Sequence, residues 1–104
     1  MEPKPHFLAL LTYLKSEDGG RATPAVSGYR PLVKFPFHHG LFTGIQKFTD
    51  AEFAFPGDTL DAEITLLDTD YFKGKVYEGL GFDFFEGPNL IGRGIIKKML
   101  DPEL

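Results

Sequence analysis

Clusters of glycine and proline divide this chain into short runs of aromatic and β-branched residues, and this spacing restricts the fold more than any other feature. The 104 residues include 12 Gly, 8 Pro and 11 Phe. The runs between the clusters are too short for helices that would cover an open sheet. Short strands separated by frequent turn residues are typical of barrels and sandwiches. We therefore predict an all-β fold.

About six segments have the pattern of strands. In residues 59–66 apolar and polar side chains alternate strictly, which predicts one core face and one solvent face. Residues 6–15 are almost continuously apolar, so we expect a strand covered on both faces, although a short buried helix has the same pattern. Gly87-Pro88-Asn89 predicts a hairpin turn between two further strands. The predicted strands are residues 6–15, 32–37, 41–48, 59–66, 80–86 and 90–99; because Pro36 cannot donate to a central ladder, 32–37 and 41–48 are either two strands or one bent edge strand.

An antiparallel sheet of this kind buries its apolar face and loses its edges when it closes on itself. We therefore predict a six-stranded antiparallel closed barrel, formed by residues 1–104 as a single domain. The length is close to that of one typical domain. The chain has no internal repeat, low-complexity segment or linker.

Composition excludes several classes of function. The formal net charge of −4 opposes the field that a DNA-binding or RNA-binding protein needs. The absence of cysteine excludes disulfides, thiolate zinc sites and a cysteine nucleophile. No apolar run reaches the roughly 20 residues of a membrane-spanning helix, and Met1–His6 lacks the order of a signal peptide. We expect a cytoplasmic protein with no DNA or membrane partner.

No set of polar residues has the spacing of a catalytic or metal site. His38 and His39 are adjacent, so on a strand they point to opposite faces and cannot easily share an ion. Asp61 and Glu63 lie on the solvent face of an alternating strand, where solvated carboxylates are the common case. His6 is expected to pack or cap, because no triad partner accompanies it. We predict no metal and no cofactor.

Several segments, in order along the chain, are similar to the C-terminal β-barrel domain, the third domain, of bacterial elongation factor Tu. The resemblance extends from about Lys4 to Leu100. Because the segments are collinear, it is more specific than any one motif. The segments are Lys4-Pro5-His6, Asp18-Gly19-Gly20-Arg21-Ala22-Thr23-Pro24, Ser27-Gly28-Tyr29-Arg30-Pro31, Phe42-Thr43-Gly44, Phe55-Pro56-Gly57-Asp58, Glu78-Gly79-Leu80, Glu86-Gly87 and residues 92–100.

The resemblance implies a six-stranded closed barrel that acts as a contact module. In the family, one side packs on the GTPase domain and on exchange factors, and another contacts the T stem of aminoacyl-tRNA. Of the tRNA-contact positions, Thr43, Glu86 and Gly87 match. Leu32 stands where the family has Gln and loses both hydrogen-bonding capacities of the amide. Pro88-Asn89 replaces Gly-Arg and removes a backbone donor and a cation. We therefore expect any tRNA contact to be weakened.

The parts that hydrolyse GTP are not encoded. A P-loop needs a glycine-rich stretch ending in Gly-Lys-Ser/Thr to hold phosphates and magnesium. The only Gly-Lys pair, Gly74-Lys75, has Thr69 at the position of the first glycine and Val76 at that of the hydroxyl. We predict that the chain is not an enzyme.

The loop over residues 18–27 offers the first candidate interface. Gly19 and Gly20 serve turn geometry and edge protection in one interpretation. In the other, the glycines let the Arg21 guanidinium reach carboxylates or carbonyls of a partner, and the resemblance puts this region, including Thr23, against a GTPase domain.

Aromatic residues offer a second candidate interface. Tyr29 either anchors the barrel with its ring while Arg30 pairs internally, or both contact a partner. Phe84 and Phe85 are consecutive, so one of them must point away from the core. Segment 68–77 appears longer than its counterpart in the family that the chain resembles. Phe85 is expected to form an exposed apolar patch with Phe72 and Tyr71 of that segment.

Three functions remain open at this point. The first is a non-catalytic binding module in or near translation, whose partner is a translation GTPase domain or an exchange factor. The second is a decoy or immunity-type mimic that competes with elongation factor Tu for a toxin or another partner. The third is a tRNA-binding protein, which would lose affinity steeply with added salt.

Overall fold

The computed structural model describes residues 4–104, and within them six strands form a closed antiparallel barrel. This confirms the predicted fold class; residues 1–3 of the Met1–His6 segment lie outside the described part. The barrel strands are β1 Phe7–Tyr13, β3 Leu32–Lys34, β4 Phe42–Phe48, β6 Thr59–Leu66, β7 Gly81–Glu86 and β8 Asn89–Met99, and neighbours follow the order β1-β6-β4-β3-β7-β8 around the barrel. The short strands β2 Ala25–Val26 and β5 Phe53–Ala54 pair as a separate ribbon.

The strand alternation of the sequence corresponds to inside and outside of the barrel. In β6, Ala62, Ile64 and Leu66 are buried, as the period of two predicts, but Thr65 on the expected solvent face is buried as well. The expectation that residues 6–15 are covered on both faces is wrong. Burial alternates along β1, with Leu8 and Leu10 only partly covered. The reason is that the outer wall carries no second layer at this strand in the described part of the chain.

Phenylalanine rings fill the barrel, and glycines make room for two of them. Phe82 and Phe84 are buried, and Phe84 is thus the member of the Phe84–Phe85 pair that points into the core. A Cβ atom at Gly92 would lie 2.1 Å from Cζ of Phe84, and one at Gly94 would lie 2.3 Å from Cζ of Phe82. Gly92 and Gly94 are therefore required because the Phe84 and Phe82 rings approach the backbone of β8 closely, and not because of a special backbone conformation.

The segment 68–77 closes one end of the barrel. The prediction that Phe72 is exposed is wrong: its side chain is fully buried, with ring centroids 4.8 Å from Phe42 and 5.1 Å from Phe35. Tyr71, its neighbour, remains half exposed. The end of a closed barrel exposes the core unless side chains from a connecting segment fill it. The Phe72 ring fills this end, and it is buried for that reason.

Candidate interaction surface

The loop between β1 and β2 is shaped by its two glycines. Ser16–Asp18 form one 3₁₀ turn, and Gly19 follows in the left-handed region with φ of 97°. A Cβ atom at Gly20 would lie 2.1 Å from the carbonyl oxygen of Leu14, so only glycine fits there. Ser16 Oγ donates to the Arg21 carbonyl at 2.6 Å. The loop is thereby held in a shape that presents the Arg21 side chain to the barrel.

Arg21, Tyr29 and Glu86 form a hydrogen-bonded cluster, which we call the rim cluster. Arg21 Nη1 donates to the Tyr29 hydroxyl at 3.1 Å and to Glu86 Oε1. Arg21 Nε donates to the Thr23 carbonyl at 3.2 Å. The guanidinium carbon lies 4.7 Å from the centre of the Tyr29 ring, a cation–π geometry. Residues 65 positions apart in sequence thus tie the β1–β2 loop to the β7–β8 hairpin.

The protonation of Tyr29 is set by its surroundings. Burial, followed by the hydrogen bond to Glu86, raises the pKa of Tyr29 to about 12, and Arg21 opposes this rise. The phenol therefore keeps its proton at neutral pH and donates it to Glu86. Glu86 is half exposed, whereas the Arg21 side chain is only 18% exposed. Within the rim cluster, the carboxylate is the charge that remains open to solvent.

A polar pair lies inside the barrel. Gln46 is fully buried, and its Oε1 accepts a hydrogen bond from the Tyr13 hydroxyl. Burial is the main cause that raises the pKa of Tyr13 well above its ordinary value. Gln46 Nε2 has no hydrogen-bond partner among residues 4–104. The pair was missed from the sequence, although the inward position of Gln46 follows from the alternation of β4.

The positions that resemble tRNA contacts lie on the outer wall and the hairpin. Thr43 faces Leu32 across β3 and β4, and Leu32 faces Phe85 across β3 and β7. Glu86 follows Phe85, and Gly87 forms the turn with φ of 58°. These positions therefore occupy one part of the surface, and Leu32 is at its centre.

Two predictions about the partner interface need correction. Arg30 does not pair internally: no carboxylate of residues 4–104 lies within 4.0 Å of it, and Arg21 takes the internal role instead. The patch expected from Phe72, Phe85 and Tyr71 loses Phe72 to the core. Phe85 is partly exposed on the wall, while Tyr71 packs its ring 5.6 Å from Phe42.

The histidines have structural partners. The Leu66 amide donates to His6 Nδ1 at 3.0 Å, which confirms the capping role predicted for His6. The Gly40 amide donates to His38 Nδ1 at 2.8 Å, and His39 is exposed. Among residues 4–104, no three side chains of the His, Asp or Glu type are grouped so that they could hold a metal ion.

No protein family model matches the chain. Among residues 4–104, no helix has the length and apolar character needed to cross a membrane.

Proposed function

We propose that the chain is a non-catalytic binding module related to the C-terminal barrel domain of elongation factor Tu, and that it acts through protein contacts in or near translation. The observation that carries the proposal is the rim cluster. Arg21, Tyr29 and Glu86 come from three separate segments that resemble the family, and in the folded chain they are joined by hydrogen bonds. A preformed rim of this kind suits a partner that contacts the loop and the hairpin together.

The chemistry of the rim also supports binding rather than catalysis. The Arg21 guanidinium is engaged by Glu86, Tyr29 and the Thr23 carbonyl, so it is held in place before a partner arrives. The Tyr29 phenol stays protonated and donates to the carboxylate. Neither side chain is poised as a nucleophile or a base, which fits a module without a reaction of its own.

Direct binding to the isolated GTPase domain of elongation factor Tu tests the proposal. We expect the purified chain to bind that domain in isothermal titration calorimetry. Arg21→Ala should weaken the affinity about tenfold, since it releases the loop from the hairpin. Lys98→Ala removes an exposed cation at the far end of β8 and serves as the control, with affinity unchanged. Absence of binding by the unaltered chain would contradict the proposal.

Leu32 on the outer wall favours a second candidate, the decoy or immunity-type mimic. A mimic must keep only the faces that contact proteins, and the apolar Leu32 stands at a position that the resemblance assigns to tRNA contact. A competition experiment separates the candidates. Displacement of full-length elongation factor Tu from its exchange factor supports mimicry, whereas joint assembly with the GTPase domain supports a role in translation.

Binding of tRNA is the third outcome of the same set of experiments. Thr43, Glu86 and Gly87 are retained, but the Glu86 carboxylate is tied to Arg21. We expect at most weak, salt-sensitive binding of aminoacyl-tRNA. Affinity that survives added salt, in a gel-shift series, would contradict this expectation.

A further inference from the structure

One row of outward side chains crosses the outer wall of the barrel. Leu32 on β3 faces Thr43 on β4 and Phe85 on β7, and Phe85 faces Leu90 on β8. The Leu67 amide, just after β6, donates to the Thr43 carbonyl at 3.1 Å and extends the row by one strand. Directly paired residues of an antiparallel sheet share a face, so these five side chains all lie on the outside of the barrel, in a row that curves with the wall. We call them the wall row.

The wall row is apolar and open to solvent. Four of its five members are leucine or phenylalanine, and the fifth, Thr43, brings a single hydroxyl. Leu67 is 55% exposed, and the other four are partly exposed. The row spans five of the six strands, so it curves around the closed barrel, and a straight partner can contact only its centre, Thr43, Leu32 and Phe85 on β4, β3 and β7. Two steps between neighbouring strands give this centre a length of about 10 Å, which corresponds to about 6 residues of a helix laid across the strands.

Cations flank the centre of the row. Arg30 and Lys34 are two positions before and after Leu32, so they point outward with it. No carboxylate of residues 4–104 lies within 4.0 Å of either cation. Next to Arg30, a surface depression of about 330 Å³ is also lined by Lys47 and Glu63. Unpaired positive charge thus borders the wall row in a chain whose net charge is −4.

Two acidic groups near the row are paired with cations, and a third, Glu63, faces Lys47 across β4 and β6. Asp83, which faces Lys34 across β3 and β7, lies 3.4 Å from Arg93 Nε. Glu86 pairs with Arg21 in the rim cluster. At the centre of the row the uncompensated charge is therefore the positive charge of Arg30 and Lys34, whereas Asp68 leaves an exposed carboxylate beside Leu67 at one end.

We propose that the centre of the wall row, Thr43, Leu32 and Phe85, is the docking surface for a protein segment with apolar side chains on one face and carboxylates on both flanks. The inference rests on the proposed function only in that it takes the chain to be a binding module. Leu32 and Phe85 would take the apolar side chains, while Arg30 and Lys34 attract the carboxylates. An RNA partner fits less well, because phosphate and sugar contacts need polar donors where the row has aliphatic carbon.

Selection from a phage library of random peptides, each longer than the roughly 6 helical residues that span the centre of the row, tests the docking surface on the intact chain. We expect enriched peptides to combine leucine or aromatic residues with aspartate or glutamate. The consensus peptide is then synthesised, and its affinity is measured by fluorescence anisotropy. Leu32→Gln should weaken that affinity about tenfold. The charge reversals Arg30→Glu and Lys34→Glu should weaken it by a similar factor and also slow association.

Matched controls lie on the other side of the barrel. β1 is three strands away from β3 in either direction, and Leu10 is an outward, partly exposed residue of β1. Leu10→Gln should therefore change the affinity less than about twofold, in contrast to Leu32→Gln. Lys98→Glu makes the same change of net charge as Lys34→Glu and should likewise have little effect. The charge reversals keep the test valid if Leu32→Gln impairs folding.

Other results would overturn the inference. Recovery of basic peptides or of no enriched peptide, equal effects of Leu10→Gln and Leu32→Gln, or a T-stem RNA hairpin bound through Leu32 in place of peptides would each do so. Failure here with successful binding of the GTPase domain would leave the proposed function intact. Peptide binding at the wall row without GTPase-domain binding would remove the proposed function alone.

Discussion

Replacement of Phe72 by alanine measures how much the segment 68–77 contributes as the end of the barrel. The Phe72 ring is fully buried, with centroids 4.8, 5.1 and 6.1 Å from Phe42, Phe35 and Phe37. Transfer of a phenylalanine side chain to the core contributes about 1.5–3 kcal/mol. The cavity left behind and the lost ring contacts bring the expected loss of unfolding free energy to about 3–5 kcal/mol.

The adjacent residue offers a matched control for this prediction. Tyr71 is half exposed and meets the rings of Phe42 and His38 at 5.6 and 5.1 Å. Tyr71→Ala should cost about 1 kcal/mol or less, since it leaves no internal cavity. Phe72→Leu keeps most of the volume and should give an intermediate loss.

Urea unfolding followed by far-ultraviolet circular dichroism suits a chain without tryptophan. The Phe72→Ala loss is a large part of the stability of a domain of this size, and the melting temperature should fall by about 12 °C or more. The reasoning is refuted if Phe72→Ala costs less than about 1 kcal/mol, or no more than Tyr71→Ala. Either result would mean that the segment does not fill the barrel end.

Two further predictions concern the pH dependence of stability at His6 and the packing of Phe84 against Gly92. Burial lowers the pKa of His6, whose neutral Nδ1 accepts the Leu66 amide, so the unfolded state binds this proton more readily. The unfolding free energy should therefore fall as pH drops below about 6.5. Protonation of His6 breaks a hydrogen bond worth about 0.5–1.5 kcal/mol. A His6→Asn variant whose unfolding free energy changes with pH by the same amount between pH 7 and 5 would count against this prediction. Gly92→Ala drives a Cβ atom into the ring of Phe84 and should destabilise the fold by about 1–3 kcal/mol in thermal melting. Gly81→Ala, whose Cβ would meet its nearest atom at 3.8 Å, is the control and should stay within about 0.5 kcal/mol.

The strands were predictable where the local pattern was complete. Residues 59–66 alternate without exception, and β6 has those bounds. Pro36 has no amide proton for a ladder, and β3 accordingly ends at Lys34 rather than at residue 37. The Gly87-Pro88 turn joins β7 to β8 as expected. The two-residue strands β2 and β5 were not predicted, since runs of two residues have no period to detect.

The candidate site was less accessible to sequence reasoning. Gly19, Gly20 and Arg21 were predicted to lie in a loop, as they do, but the partners of the Arg21 guanidinium within the barrel were not identified. One of those partners, Glu86, is 65 positions away. Its contact depends on how the barrel closes, and no local signal reports that closure.

By itself, the sequence determined where the six barrel strands lie along the chain and which side of residues 59–66 is apolar, because the two-residue period of the pleat is a local property of the backbone. Only the tertiary structure decided that the Phe72 ring belongs to the core, that Arg21 rather than Arg30 pairs internally, and that Leu32 and Phe85 stand in one exposed row. These outcomes depend on the register between strands far apart in the chain. Register is set by closure of the whole sheet, where a shift of one residue would turn every side chain to the opposite face.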